Sequence, residues 1–297
     1  METMTKLCIG QEEYILIKEY QEQESYRDSL NQLTERTFGF DFEGWYKLGF
    51  WTQRYRPYSL LHQNRVVANV SVNPLDFTLE GKCYHTLQIG TVMTDPDYRS
   101  KGLSKQLFEI LVEEYEGQFD LMYLYANASV LDFYPRFGFR KAQEYTYFRE
   151  FERKGLYVFR KLKGTEEQDI HLLLRLLEEA KPYSRYTLID NPYLPMFYLT
   201  APLADCVYYC EELDLAAVVE YEKDSIQLHG LFGTKDYEAE KVISSLLDGP
   251  RRRVVLGYTP LDATGYHCEL LQEPDTTFFV KGNNFVGQGR LPILSHA

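Results

Sequence analysis

This chain is poor in the residues that build metal centres and in the runs that cross membranes. It has six histidines and five cysteines in 297 residues, with no C-x-x-C pair. No segment approaches the ~18 consecutive apolar residues a membrane-spanning helix needs, and no charged-then-apolar leader opens the chain. Basic residues are also scarce: 32 Lys and Arg face 44 Asp and Glu, a net charge of −12. Such a surface repels phosphate backbones and anionic lipid, so neither nucleic acid nor a membrane is the expected partner, whereas a cationic substrate is favoured. Neither G-x-x-x-x-G-K-[ST] nor G-x-G-x-x-G occurs, which disfavours ordinary nucleotide and dinucleotide binding. Cys206 and Cys210, four apart in "CVYYC", are at most half of a metal site, and nothing supplies the other half. No metal is therefore expected. The cysteines are expected to be buried free thiols in a reducing cytoplasm.

What the chain does have is apolar and aromatic material, 44% and 15% of residues, including 25 Tyr and 18 Phe. That suffices for real cores, and the length suits two domains. The spacing predicts a helix over 21–38, a strand pair turning at Gln63–Asn64, and a strand in "KCYHTLQIGTVMT". An amphipathic helix follows from Ser104, carrying Leu107, Ile110, Leu111 and Tyr115 on one face. Then come a strand in "FDLMYLYA", a short helix in "SVLDFYPRF" and a closing strand in "RKAQEYTYFREF". The pattern restarts near residue 152. A helix over "TEEQDIHLLLRLLEEA", capped by Thr165, precedes strands in "CVYYCEEL", "LAAVVEYE" and "SIQLHGLF", a helix near 237–247, and strands in "RRRVVLGYT" and "TTFFVKG". Strand–helix–strand recurs in both halves. The fold class is α/β, a mixed and mostly antiparallel sheet flanked by helices, in two tandem domains over 1–152 and 153–297.

The stretch "TDPDYRSKGLSKQL" carries the chemistry. A strand runs into a polar loop that opens a helix, and a helix start offers unpartnered N–H groups plus the positive end of the dipole, a site for phosphate. Gly102 lets the backbone approach a ligand, Arg99 and Lys101 add charge, and Ser100, Leu103 and Ser104 complete the turn. No acid enters the helix until Glu109, as befits a turn that holds an anion.

This stretch resembles the cofactor motif [RQ]-x-x-G-x-[GA] of the GCN5-related N-acetyltransferase family, with Ser104 in place of the final Gly or Ala. "NASVLDFYPRFGF" resembles that family's later segment, with Asn127 at the strand exit, Tyr134 seven residues on, and Gly138–Phe139 closing it. The resemblance covers roughly residues 15–150. It implies that Arg99 to Ser104 bind the pyrophosphate of acetyl-CoA and that Val92, Met93 and Thr94 offer backbone groups to the pantetheine arm. Asn127 would touch that arm, and the Val92 N–H would stabilise the oxyanion. Tyr134 would be the acid that meets the departing thiolate, unless it is simply a packed aromatic. The acetyl group would pass directly to a primary amine on a small molecule, a peptide N-terminus or a lysine. The alternative is an acetyl-CoA-binding sensor without catalysis. Where many members carry a basic Glu, this chain has Gln88, which accepts no proton. His85 falls on the opposite face. Glu43, a water chain or, as in Eis-type enzymes, the terminal carboxylate are left as bases. Trp45 and Trp51 either wall the acceptor cleft or pack the helix on the sheet. The second half resembles a degenerate copy: "GLFGTKDYEAEK" puts Asp236, Glu238 and Glu240 where an anion would sit. Its expected task is to cover the acceptor side or to form a homodimer.

Overall fold

The structure is a computed structural model that describes residues 4–296. The first half runs β1 (Thr5–Ile9), β2 (Glu12–Lys18), α1 (Glu24–Phe38), α2 (Glu43–Lys47), β3 (Arg56–His62), β4 (Arg65–Leu79), β5 (Lys82–Thr94), α3 (Leu103–Glu114), β6 (Leu121–Ala126), β7 (Arg140–Lys141) and β8 (Tyr145–Glu152). The rest runs β9 (Arg160–Lys161), α4 (Glu167–Glu179), β10 (Thr187–Ile189), α5 (Tyr193–Thr200), β11 (Val207–Cys210), β12 (Leu215–Tyr221), β13 (Ser225–Gly233), α6 (Ala239–Leu246), β14 (Arg251–Leu256), β15 (His267–Leu270) and β16 (Thr277–Gly282).

Local chemistry explains several of these limits. Helix α1 buries Leu30 and Leu33 and stops at Gly39, whose φ of 79° lets its N–H reach Glu35 O at 2.9 Å. The β3–β4 hairpin turns on Gln63 and Asn64, both at positive φ, as a two-residue turn matched to strand twist requires. Helix α4 starts two residues beyond Thr165, with Glu166 at the N-cap and acids in its first turn. The short helix expected in "SVLDFYPRF" is instead two 3-10 turns, Ala128–Val130 and Tyr134–Phe137, because Pro135 lacks the donor a regular helix uses.

Two sheets form. The first has the order β1-β2-β3-β4-β5-β6-β16-β7, with β10 paired to the far end of β4. The second has the order β15-β8-β14-β13-β12-β11-β9. The fold class is therefore as expected, mixed and mostly antiparallel, but the sheets do not divide at residue 152. Of the expected closing strand "RKAQEYTYFREF" only β7 stays in the first sheet, while β8 pairs with β14 and β15 of the second. In exchange, β16 returns from the far end of the chain and lies antiparallel to β6. Burial drives the swap: Phe279 enters the core beneath α3, Phe278 and Val280 the core on the opposite face, and Tyr147 and Phe151 the core of the second sheet.

The halves nevertheless repeat one device. In the first sheet β5 and β6 run parallel only from Thr86–Ile89 against Leu121–Leu124, then part. In the second, β13 and β14 run parallel from Ser225–Leu228 against Arg253–Leu256, then part. Just beyond each pairing, β5 and β13 bulge against their other neighbour.

All five cysteines are free, but Cys8, Cys83 and Cys268 are exposed, contrary to the expected burial. They lie on β1, β5 and β15 at positions that no core covers. Among the described residues no cluster of three potential metal ligands occurs, and no helix is long and apolar enough to cross a membrane.

Candidate active site

The opening between β5 and β6 is set by the bulge. Asn69 of β4 pairs with Met93 and Ser71 pairs with Gly90, so Thr91 and Val92 share a single residue opposite them. Leu87 and Ile89 face α3, and simple alternation would turn Met93 the same way. The bulge reverses it: Val92 packs toward α3 and Met93 enters the core beneath α1. Thr91 takes a φ of 50°, a strained position for a β-branched residue.

A buried polar chain holds that strain. Asn69 Nδ2 donates to Thr91 O at 2.9 Å, and the Tyr55 hydroxyl lies 2.9 Å from Thr91 Oγ1. Ser71 Oγ donates to Tyr55 and Ser59 Oγ to Asn69 Oδ1, while the Tyr20 hydroxyl lies 2.6 Å from Ser59 Oγ. Burial pushes the Tyr20 and Tyr55 hydroxyls far above the ordinary phenol range, so both stay protonated. The sequence carried a signal for this group in "VVANVSVNPL", where small polar residues alternate through an otherwise apolar buried strand.

Beyond the bulge, β5 ends at Thr94, and a 3-10 turn over Pro96–Tyr98 leads to α3. Ser100 and Gly102 both have positive φ, 63° and 82°, which turns the loop backbone toward the helix start. The first helical bond is Gln106 N–H to Gly102 O, no side chain caps the end, and the first turn holds no acid. The N–H groups of Leu103, Ser104 and Lys105 are thus left for a ligand. A Cβ on Gly102 would meet no heavy atom within 4 Å, so the space before the turn is open. Ser104 Oγ lies 2.6 Å from Thr94 Oγ1, tying the helix to the strand end. Arg99 is exposed, its Nε 3.4 Å from Thr94 O. Lys101 is drawn off to Glu12 at 3.1 Å and over the Tyr98 ring. These features fit a diphosphate: open space, free donors, adjacent positive charge and no acid in the first helical turn, with Glu12 the carboxylate that a ligand would displace from Lys101.

Tyr134 lies in the core beneath α3, 4% exposed among Phe108, Phe133 and Phe279, with ring centroids 5.2 to 5.5 Å away. Burial pushes its hydroxyl up to about 12, and that hydroxyl makes no hydrogen bond among the described residues. Its ring is packed and its phenol is free. Asn127, at the exit of β6, accepts from Ser129 N and Ser129 Oγ, so it caps the first 3-10 turn.

Of the two readings of Trp45 and Trp51, cleft wall or core packing, the structure shows the packing. Trp45 and Trp51 stack at 6.2 Å inside an aromatic core with Phe42, Tyr55 and Phe197, and Trp45 Nε1 donates to Tyr193 O. Glu43 is held by Arg27 at 2.9 Å, Lys47 and Asn31, and those cations keep its carboxyl below the usual range. It lines a recess of about 490 Å³ with Asp28, Glu35 and Asp41, beside α1. Such a carboxylate is a poor proton acceptor. His85 is exposed and 2.8 Å from Asp76 across the strand pair.

Gln88 is fully buried on the face opposite α3, and neither end of its amide has a partner among the described residues. Two further residues there gave no sequence signal. Tyr125, two positions after Tyr123 on β6, donates to Glu144 Oε1 at 3.2 Å and stacks on His296 at 4.1 Å. Glu144 is 6% exposed, and burial pushes its carboxyl up to about 7, although Arg290 pulls the other way. Ala297 lies outside the described residues.

In the second sheet the equivalent opening is filled by the chain itself. Ile293 N–H donates to Gly257 O at 2.9 Å, and Leu294, 1% exposed, packs over Gly230. Helix α6 begins behind Glu238 with Glu240 in its first turn.

Residues 18–142 match the family model described as an acetyltransferase (GNAT) domain. No curated protein matches the sequence. Solved structures of the same fold include a GCN5-related N-acetyltransferase from Kribbella flavida, 16% identical over 90% of this chain and 71% of that one, TM-score 0.52. A probable N-acyltransferase from Enterococcus faecalis aligns with TM-score 0.55 at 11% identity, covering 94% and 72%. Eis1 from Mycobacterium abscessus aligns with TM-score 0.52 at 14% identity, covering 94% and 73%.

Proposed function

We propose that this chain, whose residues 18–142 match an acetyltransferase (GNAT) domain and which shares the fold of solved acetyltransferases, moves the acetyl group of acetyl-CoA directly to a primary amine. What supports the reading is that one core holds the strained bulge at Thr91–Val92, the acid-free start of α3 after Gly102, and Tyr134 with its unbonded hydroxyl. Acetyl-CoA supplies the activated acyl group when bound. The α3 turn and Arg99 hold its diphosphate, and the backbone of Val92 to Thr94 lies open beside β6 to receive the pantetheine arm.

Tyr134 then faces the sulfur. A thiolate of ordinary pKa ~8.5 is a much weaker base than a phenolate near 12. Full proton transfer from Tyr134 is therefore uphill by about 5 kcal/mol, and its role is to donate a hydrogen bond while negative charge grows on sulfur. The second half takes no cofactor in this reading: Ile293 and Leu294 occupy its opening and Glu240 enters the helix turn. It serves as the lid of the acceptor side. The chain works in the cytoplasm, where acetyl-CoA and reduced thiols coexist.

The test is turnover of acetyl-CoA against a panel of primary amines, with acetyl-CoA affinity measured alongside. Tyr134→Phe should lower kcat by about 10² or more while leaving affinity unchanged, because the hydroxyl bonds to none of the described residues. Saturable binding without transfer to any amine would favour the sensor reading, and the absence of binding would refute both.

A further inference from the structure

On the face of the first sheet turned away from α3, three polar side chains stand in one row. Asn73, Gln88 and Tyr123 are register partners on β4, β5 and β6, so their side chains share that face. They are 2%, 0% and 0% exposed, and among the described residues Asn73 Nδ2, both ends of the Gln88 amide and the Tyr123 hydroxyl have no partner. Native interiors leave few such atoms unpaired, and four in adjacent side chains mark a place that a polar guest completes. Leu75, Phe77, Tyr186 and Leu194 surround the row, so the guest is enclosed by both halves of the chain.

We infer that this row seats the amino group of the acceptor, and that Tyr125 hands the proton of the bound ammonium to Glu144. The inference rests on the acetyl-transfer reading and specifies its acceptor as a primary amine on a small hydrogen-bonding head. Gln88 Oε1 accepts one amine N–H, which suits an amide that cannot itself take a proton. The ammonium gives a proton to the Tyr125 oxygen as the proton of Tyr125 passes to Glu144 Oε1. The freed lone pair attacks the thioester carbonyl, so the C–N bond forms and the C–S bond breaks. The second amine proton ends on the thiol of coenzyme A, and Glu144 later returns its proton to solvent. Tyr125 touches the amine, whereas Glu144 acts through it as a positioning and proton-storing residue. The groups that face Glu144 are Tyr123 and Tyr125 from β6, and Arg290, paired to Glu273 at 3.7 Å, from the C-terminal segment. His296 stacks on Tyr125 from the same segment.

Two measurements on the full chain test this. Carbon-13 NMR with labelled glutamate should find one carboxyl titrating near pH 7, absent in Glu144→Gln. Rate profiles of kcat/KM with the amine panel should rise tenfold per pH step up to about 7 and then level for the wild type. Glu144→Gln and Tyr125→Phe should lose that limb and at least 10²-fold in rate at pH 8, and Glu144→Asp should restore part of it. If the wild type transfers acetyl and the variants keep the same limb, the relay is wrong while the transferase reading stands. If no amine is acetylated although the carboxyl still titrates near 7, the transferase reading falls and takes the relay with it.

Discussion

Replacing Glu144 by Gln should change how stability depends on pH, whatever the acceptor is. The carboxyl is raised from its ordinary 4.5 to about 7 by burial, so the folded state prefers it protonated. Stability from this group is fully present below pH 4.5 and is lost as pH rises through 7. Moving a carboxyl that far corresponds to about 3 kcal/mol, of which about 2.5 kcal/mol disappears between pH 5 and 8. Gln has the shape of the protonated acid and still accepts from Tyr125, so the variant should lack this loss. His296 acts in the opposite sense. Burial and Arg290 lower it from 6.5 to about 3, so its contribution is lost as pH falls below 6.5, about 2 kcal/mol by pH 5. The wild-type profile therefore falls on both sides, and the quantity to read is the difference between variant and wild type. Denaturant unfolding at pH 5, 6, 7 and 8 measures it. The variant should gain about 2.5 kcal/mol relative to wild type over that range. A difference that stays flat with pH would refute the burial argument for Glu144.

Three other outcomes follow from the geometry. Asn69→Ala removes the donor that fixes Thr91 O and takes one of their two partners from Ser59 and Ser71, so it should cost about 2 kcal/mol in unfolding and weaken acetyl-CoA binding; unchanged binding by calorimetry would detach the bulge from the site. Gly102→Val forces a β-branched residue to a φ of 82°, and a loss of about 1 to 2 kcal/mol with a matching fall in acetyl-CoA affinity should appear in thermal shift, whereas full affinity would count against the diphosphate turn. Leu294→Ala empties the plugged opening of the second sheet and should cost about 2 to 4 kcal/mol, and a melting temperature equal to wild type would mean that the segment is not packed as described.

Sequence pattern alone specified what obeys short-range rules. The 3.6-residue stripe of α3, the Gln63–Asn64 hairpin, and the basic, acid-free turn at Arg99 to Ser104 depend on neighbours a few residues apart, and each is legible without coordinates. Tyr134 and Asn127 were singled out through a motif; in the structure the first packs among Phe108, Phe133 and Phe279 and the second caps a 3-10 turn. Long-range pairing was another matter. A strand's pattern says which face is buried but not against which partner, so β8 and β16 exchange sheets with no local sign of it. Trp45 and Trp51 read equally as cleft wall or core because aromatic stacking is the same chemistry in both, and the structure puts them in the core. Glu144 was invisible: an acid in a loop becomes a carboxyl near 7 only when β6, the C-terminal segment and two tyrosines close around it. Composition and local spacing set the elements and the acid-free turn at Gly102, whereas desolvation, which needs the whole chain assembled, decided which polar side chains leave their ordinary pKa.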